Sequence, residues 1–362
     1  MSAADRHGGD IYAAARETGR PLTRILDFSA SINPLGPSPR VPRAITAALP
    51  QAVSYPDSAC TGLCAALSER HSLPPQYLLP GNGSSELIHL LPRALGIRRA
   101  VVLGPTFSEY ERSLRIAGAR VTRVLAPRRE DYRQPLRRAA LGPTIRGTRI
   151  DAVYVCNPNS PTGQGAALDE MIDVVNALGR KDIWCIVDES FVEYAQGYSV
   201  IEEIVRERCL IVLRSFTKFF AIPGLRLGYL AAKPVVIDRI KTIMPPWSAN
   251  SLAQAAALAA LSDRRHIRRS LAFMATERAR LAKRLAKIPG VVVFPSLANF
   301  LLVELPAGCS SRALSAKLRE RGMLIRDCSA VPGLSSRTIR IAVRLSSEND
   351  RLVAAIKNLV TS

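Results

Sequence analysis

Histidine is scarce in this chain, with four residues in 362, and the seven cysteines are scattered without a CxxC pair. The scarcity argues against a zinc site, and the odd cysteine number argues against a disulfide framework. No apolar run approaches the roughly 20 residues that a membrane helix requires. The opening MSAADRHGGD lacks an apolar segment behind a basic start and carries acids early, which speaks against a secretory signal or a transit peptide. A soluble, cytoplasmic protein is expected. Acidic residues are in deficit as well, 30 against 50 Lys and Arg, for a formal charge of +20. The basic residues fall in short pairs such as Arg98-Arg99, Arg128-Arg129, Arg137-Arg138 and Arg264-Arg265, with no interleaved aromatics and no helix-turn-helix or finger pattern. Nucleic acid is therefore not an expected partner. A field of this sign does attract small anions.

What is present is an ordinary globular composition, 48% hydrophobic and 22% charged, on a chain too long for one simple core. Two domains, or one large α/β domain with a smaller companion, are expected. Residues 5 to about 50 are rich in Gly, Pro and Ser around INPLGPSPRVP and read as an extended arm. Strand and helix patterns then alternate: SELIHLLPRALG, SEYERSLRIAG and LDEMIDVVNALG as helices, RRAVVLGP, ARVTRVLA, IDAVYVCNP, DIWCIVDES and RCLIVLRS as strands. Such alternation points to a mostly parallel sheet with ligands at the carboxyl ends of its strands. Beyond Pro245-Pro246 a long helical pattern from Ser251 to about Lys287 precedes short strands and two further helices, a smaller α+β unit.

Three strand patterns end in polar groups: NPNSPTG from Asn157, DES from Asp188, and SFTK ending at Lys218. A lysine within an apolar stretch is poised for amine chemistry, because desolvation favours its neutral, nucleophilic form. Arg226 follows eight residues later and, with Ser215, suits a phosphate. GNGSSE opens a helix, and free backbone N–H groups at a helix start bind phosphate. Taken singly, each motif has an ordinary explanation as a turn, a cap or a surface lysine.

Together and in this order, NPNSPTG, DES, SFTK and GLRLGY resemble the fold-type I pyridoxal-phosphate enzymes, in the branch of the histidinol-phosphate aminotransferases. Within it, HGGD, DFSASINPLG, YPD, GNGSSELI, PTFSEYE, PPWSANSLAQ and LIRDCS resemble the L-threonine-O-3-phosphate decarboxylases of cobalamin synthesis. The resemblance implies an α/β fold with a mostly parallel seven-stranded sheet. It implies an N-terminal arm over residues 1–45, a large pyridoxal-phosphate domain over 46–245 and a small domain over 246–362. The implied cofactor is pyridoxal 5'-phosphate, held as a Schiff base by Lys218, with Asp188 on its ring nitrogen and Asn157 on its ring hydroxyl. Phe107 matches an aromatic that stacks on the ring. Gly83, Ser84, Ser85, Ser215, Thr217 and Arg226 match the phosphate cradle. Tyr55 matches a tyrosine contributed by a second subunit, so a homodimer is implied.

For the substrate, the resemblance implies Arg340 on a carboxylate, in preference to Arg344, and His7, Gly8, Ser31, Asn157 and Arg326 as further contacts, with Arg326 on a phosphate. Ser31 stands where that family commonly has an asparagine, and its shorter side chain changes the reach. Aminotransferases of the branch usually carry tyrosine three residues after the aspartate, whereas this chain has Phe191. The expectation is decarboxylation of O-phospho-L-threonine, with transamination as the alternative.

Overall fold

The computed structural model describes residues 8–136 and 150–361. His7 and the Arg137-Arg138 pair lie outside the described residues. Seven strands form the central sheet: β2 (Leu78–Gly81), β3 (Arg99–Gly104), β4 (Arg120–Leu125), β5 (Ala152–Cys156), β6 (Trp184–Asp188), β7 (Leu210–Ser215) and β8 (Gly228–Ala231). The spatial order is β2-β8-β7-β6-β5-β3-β4, and every neighbouring pair is parallel except the two made by β8. β2 and β8 were not evident in the sequence pattern, being four residues each with a glycine at one end.

Strands β5 and β7 are buried along their whole length, as expected for a sheet covered by helices on both faces. Alternation then sorts the side chains. Tyr154, Cys156, Ile186, Ile211 and Leu213 join one apolar cluster with helix Gly83–Ala94, while Val153, Val155, Val187 and Val212 join another with helices Thr61–His71 and Leu168–Gly179. The same parity, carried past the strand ends, decides which polar residues meet.

A four-stranded antiparallel sheet of β9 (Val292–Val293), β10 (Phe300–Glu304), β12 (Arg326–Asp327) and β13 (Thr338–Ala342) forms the smaller unit. Its core collects Phe28, Met274, Leu281, Leu301, Ile341, Leu352 and Ile356. The N-terminal segment joins it through β1 (Leu26–Asp27), which pairs in parallel with β11 (Met323–Leu324).

That segment is not simply extended. Helix Ile11–Thr18 is capped by Asp10, whose side chain accepts from Ala13 N at 2.9 Å, and helix Arg40–Ala48 contains Pro42 in its first turn. Proline there removes an N–H that would have no intrahelical partner, so the Pro-rich composition is compatible with a helix start. Val41 and Ile45 then face the larger core.

The long helical pattern after Pro246 is likewise two helices, Ser251–Ser262 and Arg264–Leu285, divided at Asp263. Asp263 Oδ1 accepts from His266 N at 3.0 Å and its Oδ2 accepts from Ser38 Oγ at 2.5 Å. Helix Ser251–Ser262, expected in the smaller unit, packs Ala253, Ala256, Ala257 and Ala260 into the larger core. Replacing the cap by Asp263→Ala should lower unfolding stability by about 1–3 kcal/mol. Urea denaturation with an unchanged slope checks it; an unaltered midpoint would remove Asp263 from the account.

Candidate active site

The ends of β5, β6 and β7 open on a cavity of about 760 Å³ lined by Cys156, Asp188, Ser215, Thr217 and Lys218. Cys156 and Asp188 are direct neighbours in the parallel register, and Ser215 lies on the next strand with the same parity. Helix Gly83–Ala94 brings Ser84 and Ser85 to the wall, and the loop before helix Ser108–Ile116 brings Phe107. A side chain on Gly228 would strike Ser84 N at 2.4 Å, so glycine at the start of β8 lets the helix start press against the sheet. Gly83 has φ +79°, and a Cβ there would lie 2.9 Å from Arg226 Nη2, which brings the guanidinium against the helix start. Arg226 and Ser215 line the same cavity. Ser215 Oγ and Thr217 Oγ1 are 2.8 Å apart.

Asp188 is buried, with Oδ2 accepting from Tyr110 Oη at 2.7 Å and Oδ1 from Ser190 N at 2.8 Å. Tyr110 was missed in the sequence, although it stands in PTFSEYE. Burial and the neighbouring carboxylate hold its phenol protonated, so it remains a donor to Asp188. Lys218 Nζ makes no hydrogen bond or ion pair among the described residues. Burial pushes its ammonium down to about 8, Arg340 and Arg226 push the same way, and Asp188 opposes them. The backbone of Lys218 is tied to the N-terminal segment: Asn33 N donates to Lys218 O at 3.0 Å, and Asn33 Nδ2 donates to Phe219 O at 3.0 Å. Asn33 is a second residue that sequence reading passed over.

Arg340 enters from β13 above Phe300, 5.0 Å from the ring centroid. Nη1 donates to Ser160 Oγ at 2.9 Å and Nη2 to Ser29 O at 2.8 Å, while Nε is buried without a partner among the described residues. Burial lowers its guanidinium to about 10. Arg344 does not line the cavity; it pairs with Glu348 at 3.0 Å and donates to Asp27 O at 3.2 Å. Arg326 does line it, with no ion pair among the described residues. Ser31 Oγ is buried there without a partner among the described residues. Gly8 lines it too, packed so closely that a Cβ would fall 2.2 Å from Ser29 O.

Two expected positions differ. Asn157 does not line the cavity: it alternates to the far face, where Nδ2 donates to Ala166 O and Tyr198 O and Oδ1 accepts from Ala166 N at 2.9 Å. With its amide fully engaged, it cannot serve a ligand in the cavity, and the neighbour that reaches the cavity is Ser160. Tyr55 is 78% exposed and stacks on Trp247, ring centroids 4.3 Å apart, away from the cavity of its own chain.

The description Aminotransferase class I and II fits residues 23–356. The chain belongs to that family. It is 35% identical over 360 residues to the threonine-phosphate decarboxylase of Salmonella typhimurium, covering 98% of this chain and 96% of that one. It is 36% identical over 361 residues to a histidinol-phosphate aminotransferase of Roseiflexus castenholzii, covering 96% and 93%. The fold superposes on the histidinol-phosphate aminotransferase of Sinorhizobium meliloti, solved in complex with pyridoxal-5'-phosphate, with TM-score 0.88, 24% identity and coverage of 100% and 97%. The chain is a pyridoxal-phosphate-dependent enzyme of the aminotransferase class. Among the described residues no helix is long and apolar enough to cross a membrane.

The cavity fits that cofactor. An amine with no partner among the described residues could meet its aldehyde, a buried carboxylate its ring nitrogen, and a glycine-started helix with Arg226 its phosphate. With the Lys218 ammonium near 8, uptake of pyridoxal phosphate by apoprotein should accelerate about tenfold per unit below pH 8 and flatten above it, since the neutral amine reacts. Arg340→Gln, by removing a neighbouring cation, should move the midpoint upward. Stopped-flow absorbance checks both; a rate still climbing at pH 10, as for an ordinary lysine of about 10.4, contradicts them.

Proposed function

We propose that the chain decarboxylates O-phospho-L-threonine, releasing carbon dioxide and forming (R)-1-amino-2-propanol O-phosphate for the aminopropanol unit of cobalamin. One observation carries this reading. The cavity that holds Lys218 and Asp188 is also lined by Arg340 and Arg326, neither of which has an ionic partner among the described residues, whereas the lining Arg112, Arg115 and Arg123 pair with Glu109 or Glu111. Two cations suit a substrate with two anionic groups. Arg340 takes the carboxylate, while Arg326, with the partnerless Ser31 hydroxyl and the N-terminal segment at Gly8, takes the phosphate.

Bound in the cavity, pyridoxal phosphate supplies an electron-withdrawing ring that stabilises negative charge at the substrate's α-carbon. Lys218 would hold its aldehyde, Asp188 would pair with its ring nitrogen, and Phe107 would lie against its ring. Ser84, Ser85, Ser215, Thr217 and Arg226 would hold its phosphate. Lys218 Nζ would also be the group in the cavity placed to carry a proton to or from the substrate's α-carbon. Arg340 and Arg326 together fix the rotation of the substrate and so which α-carbon bond is weakened.

Phe191 favours loss of carbon dioxide over transamination. It packs edge-on against Phe300, ring centroids 5.0 Å apart, and leaves no hydroxyl where related aminotransferases usually have one. The active assembly is a homodimer, in which Tyr55 reaches the neighbouring cavity. Its exposure beside Trp247 and Val53, the latter 92% exposed, supports an interface there.

Purified enzyme with O-phospho-L-threonine should release carbon dioxide without 2-oxoglutarate. Rapid glutamate formation from histidinol phosphate and 2-oxoglutarate, with no carbon dioxide from phosphothreonine, reverses the reading in favour of the aminotransferase. Lys218→Ala should cost about a thousand-fold or more in turnover. Arg326→Ala should raise KM for the phosphorylated substrate about 10- to 100-fold, because a charged hydrogen bond is lost. A KM unchanged by Arg326→Ala removes that residue from the substrate site.

A further inference from the structure

On the face of the sheet away from the cavity lies a buried charged cluster that no step above uses. Arg214, 5% exposed, sits between two carboxylates: Nε is 2.8 Å from Glu189 Oε2, an ion pair off the line of a hydrogen bond, and Nη1 is 3.2 Å from Glu193 Oε1. Its Nη2 donates to Ser199 Oγ at 2.8 Å. Glu193 also takes Arg70 at 2.6 Å. Glu189 accepts from Ser199 Oγ at 2.8 Å and from Val200 N at 2.7 Å. Asn157 reaches the same loop through Tyr198 O at 3.1 Å.

The placement follows strand parity. Arg214 immediately precedes Ser215, Glu189 immediately follows Asp188, and Asn157 immediately follows Cys156, so each far-face residue shares a peptide bond with a cavity residue. Glu189 N also donates to Leu213 O at 2.8 Å, and Asn157 N to Asp188 O at 2.9 Å. Taking charges out of water is costly, and apolar side chains of the same volume often stabilise a core as well. What a two-carboxylate clamp supplies that apolar packing does not is fixed direction.

We propose that Arg214 is a positioning residue: by bridging Glu189 and Glu193 it locks the ends of β6 and β7 together, and so sets the placement of Asp188 against Ser215 and Lys218. This rests on the reading of those three as the cofactor site. The clamp acts through the backbone and touches neither cofactor nor substrate.

The test uses holoenzyme. Arg214→Met should fold with the wild-type circular dichroism, yet bind pyridoxal phosphate about 10- to 100-fold more weakly. The pH midpoint of its visible absorption band should be displaced, and kcat should fall more than KM rises. Arg214→Lys, which keeps a cation, should recover part of each change. If Arg214→Met does not fold, Ser199→Ala and Glu189→Gln are the milder probes, with the same displacements at about 3- to 10-fold. Wild-type cofactor affinity and band midpoint in a folded variant overturn the proposal, and so does a lowered thermal midpoint with the band unmoved. Failure of the underlying site reading appears separately, as a Lys218→Ala protein that keeps the wild-type visible band.

Discussion

A β-strand sends successive side chains to opposite faces, and at the carboxyl ends of β5, β6 and β7 that alternation separates the reacting groups from the groups that hold them. Cys156, Asp188 and Ser215 face the cavity, whereas Asn157, Glu189 and Arg214 face a buried polar lattice behind it. A one-residue slip of any of these strands would exchange the two sets. The apolar runs AVYVC and LIVL, in strands buried on both faces, therefore secure the chemistry as well as the core.

Charge is distributed around this frame with one sign dominant. Lys218 and six arginines, Arg226, Arg326 and Arg340 among them, line the cavity against three carboxylates, Glu109, Glu111 and Asp188. Crowding of cations beside a buried lysine favours its neutral form, which the reaction with an aldehyde requires. The same cations suit an anionic cofactor and an anionic substrate, so ligand binding relieves the repulsion that activates the lysine.

Much of this was legible in the sequence because the motifs and the strand pattern coincide. Polar residues directly after apolar runs mark strand ends in a parallel sheet, and Lys218 and Asp188 stood there. The arginines were separable too: Arg340 has the parity of a β13 side chain facing the cavity, while Arg344, just ahead of helix Ser346–Val360, finds Glu348 four residues on in that helix's first turn. Asn157 was misjudged because a motif gives order and spacing, whereas the face on which a residue lands depends on the count from the strand end. Cys156 takes the cavity side, so Asn157 cannot, and Ser160 reaches back after the intervening turn. The helices of the N-terminal segment were hidden by prolines, although Pro42 sits where a helix tolerates one. Tyr110 and Asn33 act through hydrogen bonds to residues 78 and 186 positions away, contacts that no local pattern displays.

The central claim is that one amine, Lys218, holds pyridoxal phosphate across the cavity from Asp188. Reduction of the holoenzyme with borohydride, followed by proteolysis and mass spectrometry, reads the attachment point directly. The account predicts a phosphopyridoxyl group on Lys218, in the peptide spanning residues 215–226. The same mass on another lysine, such as Lys233, with Lys218 unmodified, would contradict it.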